Sequence, residues 1–186
     1  DVDRIEKDKS CNKVNVSNKI NIVSVARFHP QKAIDRLIIA HKYVIDKGID
    51  HNLYLVGGGE LEEKLKALVS DLNLKTVHFL GYMTNPYGLI NECDLFVLPS
   101  LYEGFATVVN ESLIAGTPVL STKVSGIDEQ IINPSLGWIV ENNQEALNEG
   151  LYNALNDYET LQTMKKEIQD YHYPNEKILS EFIEVF

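Results

Sequence analysis

The sequence predicts an α/β fold with a parallel sheet covered by helices on both faces. Apolar runs of four to seven residues alternate along the chain with stretches of helical period. The runs are nearly continuous in apolar character, as strands buried on both sides require. The clearest unit spans Leu95 to Thr122. Leu95 to Leu98 reads as a buried strand that stops at Pro99, and a loop then carries Glu103 and Gly104. A helix from about Thr107 to Ala115 is ended by Gly116, and Thr117-Pro118 lead into another strand.

Ile20 to Ala26 is the first expected strand. A helix from Lys32 to about Lys47 follows, with Ile34, Leu37, Ile38 and Ile45 on one face and Gly48 at its end. Asn52 to Val56 is the second strand. The Gly57–Gly59 turn opens a helix carrying Leu61, Leu65, Leu68 and Leu72. Thr76 to Leu80 is the third strand, and a short helix around Tyr87 to Asn91 precedes the fourth at Asp94 to Leu98. After the central helix come a strand at Val119 to Ser121, a short helix near Asp128 to Ile132 and a strand at Gly137 to Val140. Helices near Gln144 to Asn156 and Glu159 to Asp170 complete the set. Asp1 to Lys19 is polar and lacks a clear period, and reads as a linker. Asn175 to Phe186 reads as a further helix with Ile178, Leu179, Phe182 and Ile183 as its stripe.

Composition bounds the function without naming it. The 186 residues fit one domain with a proper core, and no apolar run approaches the roughly 20 residues needed to span a bilayer. The first residues carry no signal- or transit-peptide pattern. A formal net charge of −10 argues against nucleic acid or an anionic membrane surface as the main partner. Cys11 and Cys93 lack metal or redox spacing, which suits a reduced, cytoplasmic protein.

Chemistry concentrates at the expected carboxyl ends of the strands, where open α/β sheets bind ligands. The amide-rich start of the helix at Thr107 carries partial positive charge and suits phosphate. Glu103 and Glu111 frame it, eight residues apart, and so reach different parts of one extended ligand. Acceptors for hydroxyls beside donors for a diphosphate suit a sugar nucleotide. Arg27, one of only three arginines, follows a buried strand directly, and Lys32 lies five residues on. Guanidinium gives planar multi-donor contact with phosphate, and lysine adds a compact charge. Gly57-Gly58-Gly59 is no dinucleotide fingerprint, because the third glycine would fall at Glu62 and the run follows the second strand. It reads as a tight turn, with Gly57 the best ligand contact. The five histidines show no metal spacing. His41 and His78 read as packing residues and His29 as a loop residue.

Glu103-Gly104-Phe105, Glu111 and Ala115-Gly116-Thr117-Pro118-Val119 resemble the E-x7-E signature of family-4 retaining glycosyltransferases. The resemblance extends through Ile22 to Arg27, Pro30-Gln31-Lys32, Tyr54 to Gly59, Val77 to Tyr82 and Cys93 to Ser100. It implies a GT-B fold, in which two Rossmann-like domains face each other across a cleft and the carboxy-terminal one binds a nucleoside-diphosphate sugar. On this reading residues 1–19 are a linker from an absent amino-terminal domain. Residues 20–172 are the donor-binding domain, and 173–186 are a terminal helix crossing back.

The same resemblance implies residue roles. Arg27 and Lys32 hold the donor diphosphate, with amides near Thr107 and Val108 approaching it. Glu111 accepts from the ribose hydroxyls, while Glu103 and the amides of Gly104, Phe105 and Ala106 face the transferred sugar. Tyr82 and Met83 meet the nucleobase. Ala106 departs from the glycine of many relatives, and its methyl is expected to narrow the sugar pocket. Glu129 resembles a recurrent position without an assigned role. The implied reaction moves a glycosyl group to an acceptor hydroxyl with retention, by front-face attack, without a metal or other cofactor. No D-x-D motif is present. The implied acceptor is a glycan or lipid-linked glycan bound by the absent domain, in polysaccharide or glycoconjugate synthesis, and the implied location is cytoplasmic or at the inner face of the membrane. A GT-B sugar-nucleotide epimerase and a non-catalytic binding module are the alternatives.

Overall fold

A computed structural model of the chain describes residues 2–11, 16 and 19–170. Six strands, β1 (Ile20–Val25), β2 (His51–Val56), β3 (Val77–Gly81), β4 (Leu95–Leu98), β5 (Val119–Thr122) and β6 (Gly137–Val140), form one sheet. Every pairing is parallel, and the order is β3-β2-β1-β4-β5-β6. The helices are α1 (Val2–Cys11), α2 (Ile34–Asp46), α3 (Glu62–Asp71), α4 (Tyr87–Glu92), α5 (Thr107–Ala115), α6 (Ile127–Gln130), α7 (Gln144–Asn156) and α8 (Tyr158–Asp170). The terminal helix expected after residue 172 lies outside the described residues.

Period-two alternation within apolar strands builds two cores, one on each face. Ile22, Leu53, Leu55, Leu95, Val97 and Leu120 join residues of α2 and α7 in one cluster. Val23, Val56, Phe96, Leu98 and Val119 join residues of α4, α5 and α8 in the other. Gly116 ends α5 in the left-handed region (φ 95°), as its position in the sequence predicts.

Two differences from the expected elements have local causes. Residues 2–11 form helix α1, which packs on α4 and α5 and buries Ile5, instead of remaining an aperiodic polar linker. Among the described side chains of α1 one is deeply buried, beside an Arg4–Asp8 pair one turn apart, and this leaves no apolar stripe to read. The helix expected from Lys32 begins instead at Ile34, behind a short 3-10 turn over Pro30–Lys32. Pro30 fits the first position of that turn, the His29 Nδ1 accepts from the Gln31 amide at 3.3 Å, and Ala33 breaks the path at φ 47°. Lys32 is thereby kept off α2.

At the amino-terminal edge of the sheet, His41 and His51 are fully buried. His51 Nδ1 faces the Ile49 carbonyl at 3.0 Å and therefore carries the proton, leaving Nε2 as acceptor. His41 Nδ1 then donates to His51 Nε2 at 2.8 Å, and His41 Nε2 accepts from the Thr76 hydroxyl at 2.8 Å. His51 Nε2 must be unprotonated to accept, whereas the Thr76 hydroxyl could serve His41 in either state, so burial is what keeps the His41 ring neutral. Burial, and then the neighbouring imidazoles, lower the His41 pKa to about 3. Between pH 6.5 and about 3 the unfolded chain binds a proton there that the folded chain excludes, so stability falls as pH is lowered. His41 alone is expected to cost about 2 kcal/mol at pH 5 relative to neutral pH. Thermal unfolding across pH 7.5 to 4.5 checks this. His41→Leu should be less stable at pH 7.5 and show a flatter pH dependence; an equal slope in both proteins would contradict it.

Candidate functional site

The strand order reverses at the boundary between β1 and β4, so the loops leaving these strands diverge and open a crevice at their carboxyl ends. One wall is the segment after β1. Ala26 donates its amide to the Val56 carbonyl at 3.0 Å and Phe28 to that of Gly58 at 2.9 Å. The Phe28 ring is buried edge-on against Phe79, with 6.0 Å between centroids. With its neighbour anchored, Arg27 stands exposed on the crevice. Gly57 (φ 130°) allows this close approach, since a Cβ there would lie 1.9 Å from the Ala26 carbonyl oxygen. A cavity of about 430 Å³ results, lined by Ala26, Arg27, Gly57, Gly58, Tyr82 and Met83 among others. Met83 leans on the core behind, whereas Tyr82 is 85% exposed and packs no core.

The other wall is the segment after β4. Glu103 Oε1 receives two hydrogen bonds of 2.6 Å, from Lys32 Nζ and from Ser100 Oγ. The Glu103 side chain is 6% exposed and that of Lys32 26%, so the ion pair sits mostly out of water. Both donors take the same oxygen. Oε2 has no hydrogen-bond partner among the described residues and can accept from a ligand hydroxyl. The chain then passes exposed Gly104 and Phe105 into α5, with the Thr107 amide folded onto the Phe105 carbonyl at 3.1 Å and the Val109 amide onto that of Ala106 at 2.9 Å. A Cβ at Gly104 would meet nothing within 4 Å, so packing does not demand glycine there. Ala106 is 4% exposed and belongs to the core cluster. Its methyl is taken up by packing, which corrects the expectation that it narrows the cleft.

Glu111 lies on α5 beside Tyr87, whose hydroxyl is pushed up by burial and then by that carboxylate. The sequence-derived residues thus form three groups: Arg27, Gly57, Tyr82 and Met83 around one cavity, Lys32 with Glu103 in an ion pair, and Glu111 next to Tyr87. Val108 is half-buried at the start of α5. His29 serves the turn before α2 and lies 3.9 Å from Glu60, and Glu129 is exposed on α6. Among the described residues, no three His, Cys, Asp or Glu side chains group as a metal site.

Sequence reasoning gave no role to Ser100, Gln130 or Asn142. Ser100 reads only as the last residue of Leu-Pro-Ser, yet its hydroxyl holds Glu103. Gln130 on α6 donates to the Ala106 carbonyl at 3.0 Å and to Asn110 Oδ1 at 3.1 Å, securing the start of α5. No local pattern marks Gln130, because its contacts join segments some twenty residues apart; Ser100 lies three residues before Glu103, and that Ser-x-x-Glu spacing is the signal that could have found it.

Fold and site define an α/β domain with a crevice at its switch point, walled by exposed Arg27 on one side and by the Lys32–Glu103 pair on the other. The chain belongs to the family of group 1 glycosyl transferases, which matches residues 6–171. It is 34% identical over 143 residues to an uncharacterized glycosyltransferase, MJ1178, of Methanocaldococcus jannaschii, covering 75% of this chain and 39% of that one. It is 32% identical to the N-acetylgalactosamine-N,N'-diacetylbacillosaminyl-diphospho-undecaprenol 4-alpha-N-acetylgalactosaminyltransferase of Campylobacter jejuni, covering 68% of this chain and 41% of the relative. The chain therefore spans about two fifths of the length of these curated relatives. Its fold matches the GT-B enzyme TarM of S. aureus, solved with UDP bound, at a TM-score of 0.76 and 23% identity over 93% of this chain and 38% of TarM. Among the described residues no helix is long and apolar enough to cross a membrane.

The two glycines of the site should respond oppositely to a methyl group. Gly57→Ala is expected to lose on the order of 3 kcal/mol or more, through strain and the clash with Ala26. Gly104→Ala should stay within roughly 0.5 kcal/mol of the parent. Parallel denaturant titrations decide it, and a large loss at Gly104 would mean that the loop packs more tightly than described here.

Proposed function

We propose that this chain is the nucleotide-sugar donor-binding domain of a retaining glycosyltransferase that moves a sugar to an acceptor hydroxyl. The observation that supports the reading is that exposed Arg27 and then Lys32 follow β1, while Glu103, the partner of Lys32, and the start of α5 follow β4, its neighbour across the switch point. Arg27 and the Val108 amide at the start of α5 would take the diphosphate, whose negative charge grows as the glycosidic bond breaks, and the Thr107 amide would join them by leaving the Phe105 carbonyl. Preorganised donors of this kind are each worth roughly 10²–10³ in rate. No metal takes part in this reading. Lys32 holds one oxygen of Glu103, and the other would orient a hydroxyl of the transferred sugar. Glu103 is not the nucleophile; the acceptor hydroxyl attacks from the face the diphosphate leaves, guided by the leaving phosphate. Exposed Tyr82 and its neighbour Met83 would cover the base, and Glu111 would take the ribose hydroxyls.

The E-x7-E spacing of Glu103 and Glu111 supports retention. The Campylobacter relative, named for transfer to a lipid-linked glycan, supports a glycan or lipid-linked acceptor in glycoconjugate or surface-polysaccharide synthesis. Such an acceptor would be held by a facing domain, with the enzyme in the cytoplasm or at the inner face of the membrane.

Calorimetric titration with UDP, GDP and ADP, and then with their sugar conjugates, tests the proposal. One base should be preferred, and Arg27→Ala and Glu111→Ala should each weaken binding about tenfold. Binding of no nucleotide at millimolar concentration, by this chain and by the full-length enzyme, would overturn the reading. Release of an altered sugar nucleotide without any acceptor would favour an epimerase instead.

A further inference from the structure

We propose that Asn142, oriented by Arg36, is a positioning residue that fixes the Glu103 loop and thereby the fit of the transferred sugar. The second half of this inference rests on the donor-binding reading above. Asn142 lies two residues past the end of β6 and faces the segment after β4. Its Nδ2 lies 3.2 Å from the Ser100 carbonyl oxygen, 2.9 Å from that of Leu101 and 3.2 Å from that of Lys123. Two amide protons are thus shared among three carbonyls, two of them in the turn that presents Ser100 and Glu103.

The orientation of this amide follows from its partner. Arg36 Nη1 lies 2.8 Å from the other terminal atom of Asn142, and a guanidinium can only donate, so that atom is the oxygen. Arg36 is itself held in place: Gln144 Nε2 donates to its carbonyl at 3.0 Å. Its Nη2 is buried without a hydrogen-bond partner among the described residues. A cation placed in such surroundings, with a neutral amide as its hydrogen-bond acceptor, stabilises little by itself. Its effect is to set which way Asn142 points.

The rest of the loop is fastened from the opposite wall. The Leu101 amide donates to the Gln31 carbonyl at 2.8 Å, and Gln31 Nε2 donates to the Tyr102 carbonyl at 2.9 Å. Thr122 Oγ1 donates to the Ser100 carbonyl at 2.6 Å. Gln31 adjoins Lys32, so the backbone that delivers the lysine and the backbone that delivers the glutamate are tied together. Asn142 closes this arrangement from the β6 side.

Asn142→Asp is the discriminating variant. It keeps the shape and the acceptor for Arg36, but turns a carboxylate toward three carbonyl oxygens. Amide hydrogen exchange should show Leu101 exchanging about tenfold faster, the loss of one or two hydrogen bonds, with Leu53 in β2 unchanged. Arg36→Met should reproduce the effect by releasing the amide. Titration with UDP, GDP and ADP and their glucose conjugates gives the second readout. Affinity for the free diphosphate should hold, while the gain contributed by the glucose falls at least about threefold. Unchanged exchange at Leu101, or equal acceleration at Leu101 and Leu53, would overturn the clamp, as would an undiminished glucose contribution. If neither the parent chain nor the full-length enzyme binds a nucleotide, the donor reading fails separately, and the exchange data still decide the clamp.

Discussion

Everything at the site depends on β1 and β4 being neighbours while the connections that leave them go to opposite faces. After β1 the chain turns to α2 and the core it shares with α7; after β4 it turns to α5 and the other core. Right-handed crossovers make this divergence unavoidable once the order is β3-β2-β1-β4-β5-β6. The crevice is therefore a consequence of connectivity, and the residues just past Val25 and Leu98 are its walls wherever they fall in the sequence. Arg27, Lys32 and Glu103, up to 76 positions apart along the chain, reach the same end of the sheet only through this adjacency.

Electrostatics at the crevice runs against the background of the molecule. A chain with a net charge of −10 repels an anion at a distance, so short-range contacts must decide binding. A nearly buried glutamate beside a phosphate site would deepen that problem. On the proposed reading, its pairing with Lys32 at 2.6 Å brings the local charge close to zero, and Arg27 and the start of α5 would meet the anion. Glu103 then contributes an acceptor for hydroxyls without adding full repulsion. The Ser100 hydroxyl on the same oxygen fixes which lone pairs stay open.

Much of this was legible in the sequence. Apolar runs and helical stripes located the six strands and the helices from α2 to α8 to within a few residues, because strands buried on both faces and amphipathic helices follow the two periodicities directly. Gly116 marks a helix end by its backbone freedom, whereas the side-chain cap that Asn143 gives α7 went unread. The signal failed where one residue or one distant contact decides the outcome. Ile5 is the one buried residue among the described side chains of α1, Ala33 separates Lys32 from α2, and the amide of Asn142 acts on carbonyls some forty residues earlier. Strand order is not periodic at all, so the sequence could place Arg27 at a strand end without saying which loop would face it.

The two edges of the sheet are built to different ends. At the amino-terminal edge, Asn52 Nδ2 donates to Asn21 Oδ1 at 2.9 Å, and the Asn21 amide donates to Asp94 Oδ2 at 2.8 Å. Asp94 also accepts from Gln162 Nε2 at 2.7 Å and from the Tyr158 hydroxyl at 3.3 Å, which ties in α8. With His41, His51 and Thr76 this is a buried network whose polar groups face one another, the kind that specifies a single arrangement. The carboxyl-terminal edge instead leaves Arg27 and Tyr82 in solvent and one oxygen of Glu103 open. Polar groups at the first edge satisfy one another, and at the second they await a partner. A sheet locked at one end can hold loops at the other to a fixed geometry without filling the space between them, and that space is where an extended ligand can lie.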